Sequence, residues 1–170
     1  KFYMDLLKAK ACAIITPYPQ IGMDIDKSSD LELARKILQG PEKETKTVII
    51  TEEAPLPLGP YVQAVKMGRL IFVSGQISID PTTGEIIQGT ANEQTALIFK
   101  NIKAILEAGD SALSKVLKAS VFLRNLDDFK EVNAIFEEVF KENPPARETV
   151  EVSRLPGDVK VEISVIALAD

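Results

Sequence analysis

The chain contains no histidine and only one cysteine, Cys12, in 170 residues. Without histidine, a Ser-His-Asp or Cys-His nucleophile and any histidine-ligated metal centre are excluded within this chain. A lone cysteine closes no internal disulfide and builds no cysteine-rich zinc site; with no base to activate it, Cys12 reads as a small packing hydrophobe. Long apolar runs are missing as well. Nothing approaches the ~20 consecutive apolar residues of a bilayer span, and no basic region followed by an apolar run and a small-residue cleavage site opens the chain. Positive charge is the scarcer sign: 20 Lys and Arg stand against 25 Asp and Glu, a formal net charge of −5. An acidic balance repels phosphate backbones, so no nucleic-acid partner and no membrane association are expected, and the reading is of a soluble cytoplasmic protein.

What is present suits one core, since 45% of residues are hydrophobic and domains cluster near ~100 to 150 residues. The chain divides at Gln39-Gly40-Pro41-Glu42-Lys43-Glu44-Thr45-Lys46, where glycine and proline stop a helix and a charged run follows. Residues 1–45 are expected to be an N-terminal appendage or fusion remnant. Within it, Ser29 and Glu32 have capping-box spacing, and Leu31, Ala34 and Leu38 mark a short helix over 30–38. The chain opens on Lys1 and not on methionine, and whether it is a piece of a longer fusion protein is left open.

Residues 46–170 change pattern to short apolar runs punctuated by turns. Strands are predicted over 47–50, 61–66 and 69–74, the last two joined by Met67-Gly68, with a further turn at Asp80-Pro81-Thr82-Thr83-Gly84. Thr90 and Glu93 have capping-box spacing, and Ile98, Ile102 and Ile105 recur at helical spacing until Gly109, which predicts a helix over 91–108. A central strand follows over 116–124. The stripe Phe129, Val132, Phe136, Val139 and Phe140 predicts a second helix, ended by Pro144 and Pro145. Segments 149–153 and 159–168 read as a final hairpin across Leu155-Pro156-Gly157-Asp158. The class is α+β: a mixed sheet with two helices on one face. Its opposite, apolar face needs cover from outside the monomer, so oligomerisation is expected.

Few side chains have the means for chemistry. Arg147 follows Asn143-Pro144-Pro145-Ala146, and its planar five-donor fork suits bidentate capture of a carboxylate; an ordinary surface ion pair with Glu148 or Glu151 fits the spacing equally. Glu162 falls mid-strand on the face of Ser164, Ile166 and Leu168. There it would be partly desolvated, with a pKa tending upward, and able to orient or deprotonate a water; a solvated edge-strand glutamate near Lys160 is the plainer alternative. Gly59-Pro60-Tyr61 and Ser74-Gly75-Gln76 each set a polar side chain beside glycine, which permits close approach of a ligand but equally marks a simple turn.

Taken together, Gly59-Pro60-Tyr61-Val62-Gln63-Ala64-Val65, Phe72-Val73-Ser74-Gly75-Gln76-Ile77, Asn101 to Ala108 and Pro145-Ala146-Arg147 through Leu155-Pro156 to Val161-Glu162-Ile163 resemble the RidA (YjgF/YER057c-type) family, over residues 47–169. The resemblance implies a chorismate-mutase-like fold assembled as a homotrimer, with the sheets forming a central barrel and three clefts between subunits. It further implies hydrolytic deamination of enamines and imines such as 2-aminoacrylate to a 2-keto acid and ammonia, the activity of a 2-iminobutanoate/2-iminopropanoate deaminase, with no cofactor and no metal. Carried over residue by residue, Arg147 would bind the substrate carboxylate, Glu162 would hold the attacking water, and Tyr61, Ser74, Gly75 and Thr149 would line the pocket. Thr149 stands where many relatives have cysteine, and Glu148 where a small residue is frequent.

The segment Ile21 to Leu38 is similar instead to the C-terminal tail of sugar-acid cytidylyltransferases, and by that analogy Asp24 and Asp26 would be magnesium candidates; a structural appendage is the simpler reading. Two other functions stand beside this one. One is a non-catalytic module that binds small carboxylates or keto acids. The other, ribonuclease or translation-inhibitor activity, conflicts with the acidic balance.

Overall fold

The computed structural model describes residues 45–170; Cys12, Asp24, Asp26 and the helix expected over 30–38 lie outside them. Six strands form one sheet: β1 (Thr47–Ile49), β2 (Ala64–Met67), β3 (Leu70–Gln76), β4 (Val116–Leu123), β5 (Ala146–Glu151) and β6 (Val161–Leu168), in the spatial order β1-β2-β3-β6-β4-β5. Two helices, α1 (Ala91–Ala108) and α2 (Phe129–Val139), lie between β3 and β4 and between β4 and β5 in the chain. None of the described helices is long and apolar enough to cross a membrane.

The long helix begins where its capping box lies. Thr90 Oγ1 accepts from the Glu93 amide at 3.2 Å, and the Glu93 carboxylate accepts from the Thr90 amide at 2.9 Å, which satisfies two of the orphan donors at the helix start. It ends at Gly109, whose amide donates to Leu106 O at 3.0 Å. A side chain is barred there, because a Cβ on Gly109 would lie 2.6 Å from a methyl of Ile49 and 2.8 Å from one of Ile71. α1 packs on α2 through edge-on aromatic contacts, Phe99 to Phe136 at 4.9 Å and Phe99 to Phe140 at 5.3 Å between ring centres.

Along β6, Val161, Ile163, Val165 and Ala167 are buried, while Glu162, Ser164, Ile166 and Leu168 between them are only partly covered. This is the period-two split of a sheet with helices on one side only. The uncovered face continues across the register: Phe72 pairs with Ile166, Leu70 with Leu168, and Val150 with Phe122. Phe72 and Val150 remain 40% and 43% exposed, so large apolar side chains face outward on this side of the sheet, on either side of a polar row of Ser164, Ser120 and Glu148, and exposed apolar groups of this size mark an interaction site.

The predicted final hairpin is not formed. β5 runs parallel to β4, Arg147 beside Ala119 and Thr149 beside Val121, while β6 lies antiparallel on the other edge of β4, between it and β3. The cause is α2: a strand, helix, strand connection returns the chain parallel to its starting strand. Strand β6 then fills the slot that the antiparallel hairpin of β2 and β3 leaves beside β4. The turn at Pro156–Asp158 is real, but it joins strands that do not touch.

Candidate functional site

Strand β3 carries a bulge that builds one half of the site. Val73 stands opposite Val165 and Gln76 opposite Ile163, so Ser74 and Gly75 together face the single residue Ser164, the two-against-one arrangement of a β-bulge. The kink sets the backbone of Gly75 against the Glu162 side chain. A Cβ on Gly75 would overlap Glu162 Oε1 and lie 3.0 Å from its carboxyl carbon, so only glycine leaves room for the carboxylate.

Glu162 and the bulge form the floor of a cleft of about 570 Å³. Its walls come from the segment between β1 and β2, with Pro55, Leu58 and Tyr61, and from Ile77 and Pro156. Half-buried among these mainly apolar groups, the Glu162 carboxyl is pushed above the ordinary carboxylate range by desolvation. Among the described residues no hydrogen bond or ion pair reaches it. Ser74 is held by donating its hydroxyl to Val62 O at 2.6 Å, and the Tyr61 hydroxyl accepts from the Leu58 amide at 3.3 Å.

One residue that sequence reasoning passed over ties this wall down. The buried side chain of Gln63 accepts from the Thr51 amide at 2.7 Å and donates from Nε2 to the carbonyls of Thr51, Ala54 and Pro55 at 3.0, 3.0 and 2.9 Å. A single amide thereby pins an irregular segment that has no ladder of its own. The available signal was a polar residue interrupting the apolar pattern at Val62-Gln63-Ala64.

Arg147 occupies a different place. On edge strand β5 it points to the helix-covered side, where its guanidinium carbon lies 4.5 Å from the centre of the Phe136 ring and 5.5 Å from that of Phe129. Its Nη2 donates to Asn133 Oδ1 at 2.9 Å. Neither Glu148 nor Glu151 is its partner: Glu148 faces the opposite side of the sheet, bonded to Lys118 at 3.0 Å and to the Ser120 hydroxyl, and Glu151 accepts from the Leu126 amide at 2.9 Å. Among the described residues the guanidinium has no carboxylate partner, and four of its five N–H groups are uncommitted to side chains. Thr149, two residues on, shares its side of the sheet.

The structure therefore brings Tyr61, Ser74, Gly75 and Glu162 together in one cleft and sets Arg147 and Thr149 apart from them. With β4 between β5 and β6, the two groups are two strand spacings apart, roughly 10 Å, and on opposite faces. Within one protomer they do not meet.

A cleft at a β-bulge under a carboxylate, on a six-stranded mixed sheet backed by two helices, defines the class, and the comparisons agree with it. The chain belongs to the RidA family: the family model described as Endoribonuclease L-PSP matches residues 51–169. It is 54% identical over 122 residues to a RutC family protein of Pyrococcus abyssi, an alignment covering 72% of this chain and 96% of the relative. It is 45% identical over 123 residues to the 2-iminobutanoate/2-iminopropanoate deaminase of Salmonella typhimurium, covering 71% and 95%. Among solved structures, that of E. coli TdcF with bound serine superposes with a TM-score of 0.70 at 40% identity, covering 73% of this chain and 99% of the other.

Proposed function

We propose that this protein hydrolyses reactive enamine and imine intermediates of the 2-aminoacrylate type to a 2-keto acid and ammonia, as a 2-iminobutanoate/2-iminopropanoate deaminase does, in sites completed between three copies of the chain. One observation carries the reading: a desolvated carboxylate in an apolar cleft and an aromatic-backed guanidinium without a carboxylate partner belong to the same chain but to opposite faces of its sheet. A neighbouring copy brings Arg147 and Thr149 to the rim of the cleft that holds Tyr61, Ser74, Gly75 and Glu162. The exposed sheet face that carries Phe72 and Val150 supplies a surface for such an assembly. Residues 46–170 are the active unit, and residues 1–45 an appendage to it.

The chemistry asks little of the protein. The enamine is protonated at carbon to its iminium tautomer, whose carbon is already electrophilic. Arg147 grips the substrate carboxylate in a bidentate pair, which orients that carbon over the cleft. Glu162, as carboxylate, accepts a proton from a water while the water oxygen bonds to the carbon and the C=N π pair moves to nitrogen. The proton passes from Glu162 to that nitrogen, the regenerated carboxylate takes the hydroxyl proton and returns it to solvent, balancing the proton taken up at carbon, and the C–N bond breaks to release ammonia and the keto acid.

The relatives named as deaminases support this reaction class. The serine bound to TdcF, a small molecule bearing a carboxylate, supports the kind of ligand. That bound serine equally favours a module that binds without turnover. A coupled assay with a dehydratase that generates 2-aminoacrylate separates the two: faster keto-acid release supports the enzyme. Unchanged release together with calorimetric binding of 2-ketobutyrate would leave only the binding module. Arg147→Ala is expected to lower kcat/KM at least about a hundredfold through loss of paired, charge-assisted hydrogen bonds.

A further inference from the structure

The carboxylate anchor is itself held by a neutral device on α2. Asn133 Oδ1 accepts from Arg147 Nη2 at 2.9 Å, and Asn133 Nδ2 donates to Glu137 Oε1, one helical turn on, at 2.6 Å. Phe136, between them in sequence, lies under the guanidinium, and Phe129 closes the far side. The direction of the chain is set by chemistry, because Glu137 as a carboxylate only accepts. It therefore takes the amide N–H₂, which turns the Asn133 carbonyl toward the arginine. Phe129 is 39% exposed, an unusual place for a phenylalanine on a packed stripe, and its contact with the guanidinium accounts for it.

The choice of an amide matters. A carboxylate at position 133 would hold the guanidinium as firmly but would neutralise it and occupy the fork that a substrate anion needs. An amide orients the group and leaves its charge unspent. We infer that Asn133, aligned by Glu137, is a positioning residue that presents Arg147 to an incoming carboxylate, and that its neutrality is the property that counts. This rests on the reading of Arg147 as the carboxylate anchor, not on the hydrolytic step.

The experiment compares full-length wild-type protein with Asn133→Ala, Asn133→Asp, Glu137→Gln, Glu137→Ala and the pair Asn133→Asp/Glu137→Gln. Calorimetric Kd for 2-ketobutyrate is read beside kcat and KM for the imine, with thermal unfolding as the check on folding. Asn133→Ala is expected to raise Kd and KM about tenfold with kcat within about twofold. Asn133→Asp is expected to raise them further although it keeps the acceptor. The double variant should do the same, even though its amide at position 137 restores a donor to the new carboxylate at position 133 and relieves like-charge repulsion. Glu137→Ala should show a few-fold loss, and Glu137→Gln, which can still accept from Asn133 but can also donate and so no longer fixes the amide direction, should fall between it and wild type. Unchanged affinity in both Asn133→Asp and Asn133→Ala would overturn the inference, as would Asn133→Asp matching wild type. If wild-type protein binds 2-ketobutyrate without turning over imines, the hydrolase reading fails while the Kd series still decides the role of Asn133. Absence of 2-ketobutyrate binding by wild type would refute both.

Discussion

The surroundings of Glu162 and of Arg147 treat charge in opposite ways. Glu162 sits over a backbone bulge among Pro55, Leu58 and Ile77, with nothing among the described residues to stabilise its anion, so burial acts alone and raises its pKa. Arg147 lies on aromatic rings with an amide at its edge, so its guanidinium is backed and aimed. Desolvation acts on one side chain, while aromatic rings and an amide hold the other in place. The proposed chemistry on a carboxylate-bearing imine would need both, and the sheet places them back to back.

The sharpest way to break this comparison is to separate the two halves genetically. Arg147→Ala and Glu162→Gln homomers are each expected to be inactive. Unfolded together and refolded as mixed oligomers, they should recover about a quarter of wild-type activity under the proposed intersubunit arrangement, in which one site in four would pair an intact arginine with an intact glutamate from a different chain. No recovery in a mixture proven to exchange subunits would mean that each cleft uses residues of one protomer only.

A second test acts on the cleft alone. Gly75→Ala drives a methyl into the space of the Glu162 carboxylate, and because the obstructing atoms are the end of a flexible side chain, the carboxylate moves and the fold stays. Stability measured in urea should change by less than about 1 kcal/mol, whereas kcat should fall by up to about a hundredfold, as misplacing a reacting group by about 1 Å does. A large loss of stability with normal kcat would contradict the bulge's proposed role.

The smallest effect is the pH dependence. Because the Glu162 pKa is raised, its base form is lost at a higher pH than an ordinary glutamate would require, so kcat/KM should decline early on acidification. Stability runs the other way: between the unfolded and the raised folded pKa the native state binds more protons, so the contribution of Glu162 to stability falls as pH rises through that window. Denaturation of Glu162→Gln at stepped pH should lack this slope. Equal slopes in wild type and variant would assign the effect to other groups.

Much of the fold could be read locally. The range 91–108 predicted for α1 is the observed one because its start and stop depend on neighbours in sequence, a capping box at Thr90 and Glu93 and a glycine at 109. The α2 stripe was equally plain. The partner of β5 was not, since strand pairing is decided by competition among distant segments and a Pro-Gly turn between two apolar runs looks the same whether or not the runs pair. The candidate site followed the same division. The alternation that set Glu162 on the face of Ser164 and Ile166 was visible, but the bulge that lodges Gly75 against it is a register event between strands remote in sequence. Gln63 was marked only as a polar residue in an apolar run, which does not say what it binds, and Asn133 carried no local mark of the arginine it holds.

The sequence by itself determined which groups this protein has for chemistry: no histidine, one cysteine, a proline-led arginine and a glutamate set into a strand. Residue type and short-range periodicity are properties of the chain alone. Which side of the sheet Arg147 faces, how the Glu162 carboxyl loses its water, and that the two stand on opposite faces were decided only by tertiary structure. Those facts depend on strand order, a bulge and the packing of α2, and such long-range contacts exist only once the whole sheet has formed.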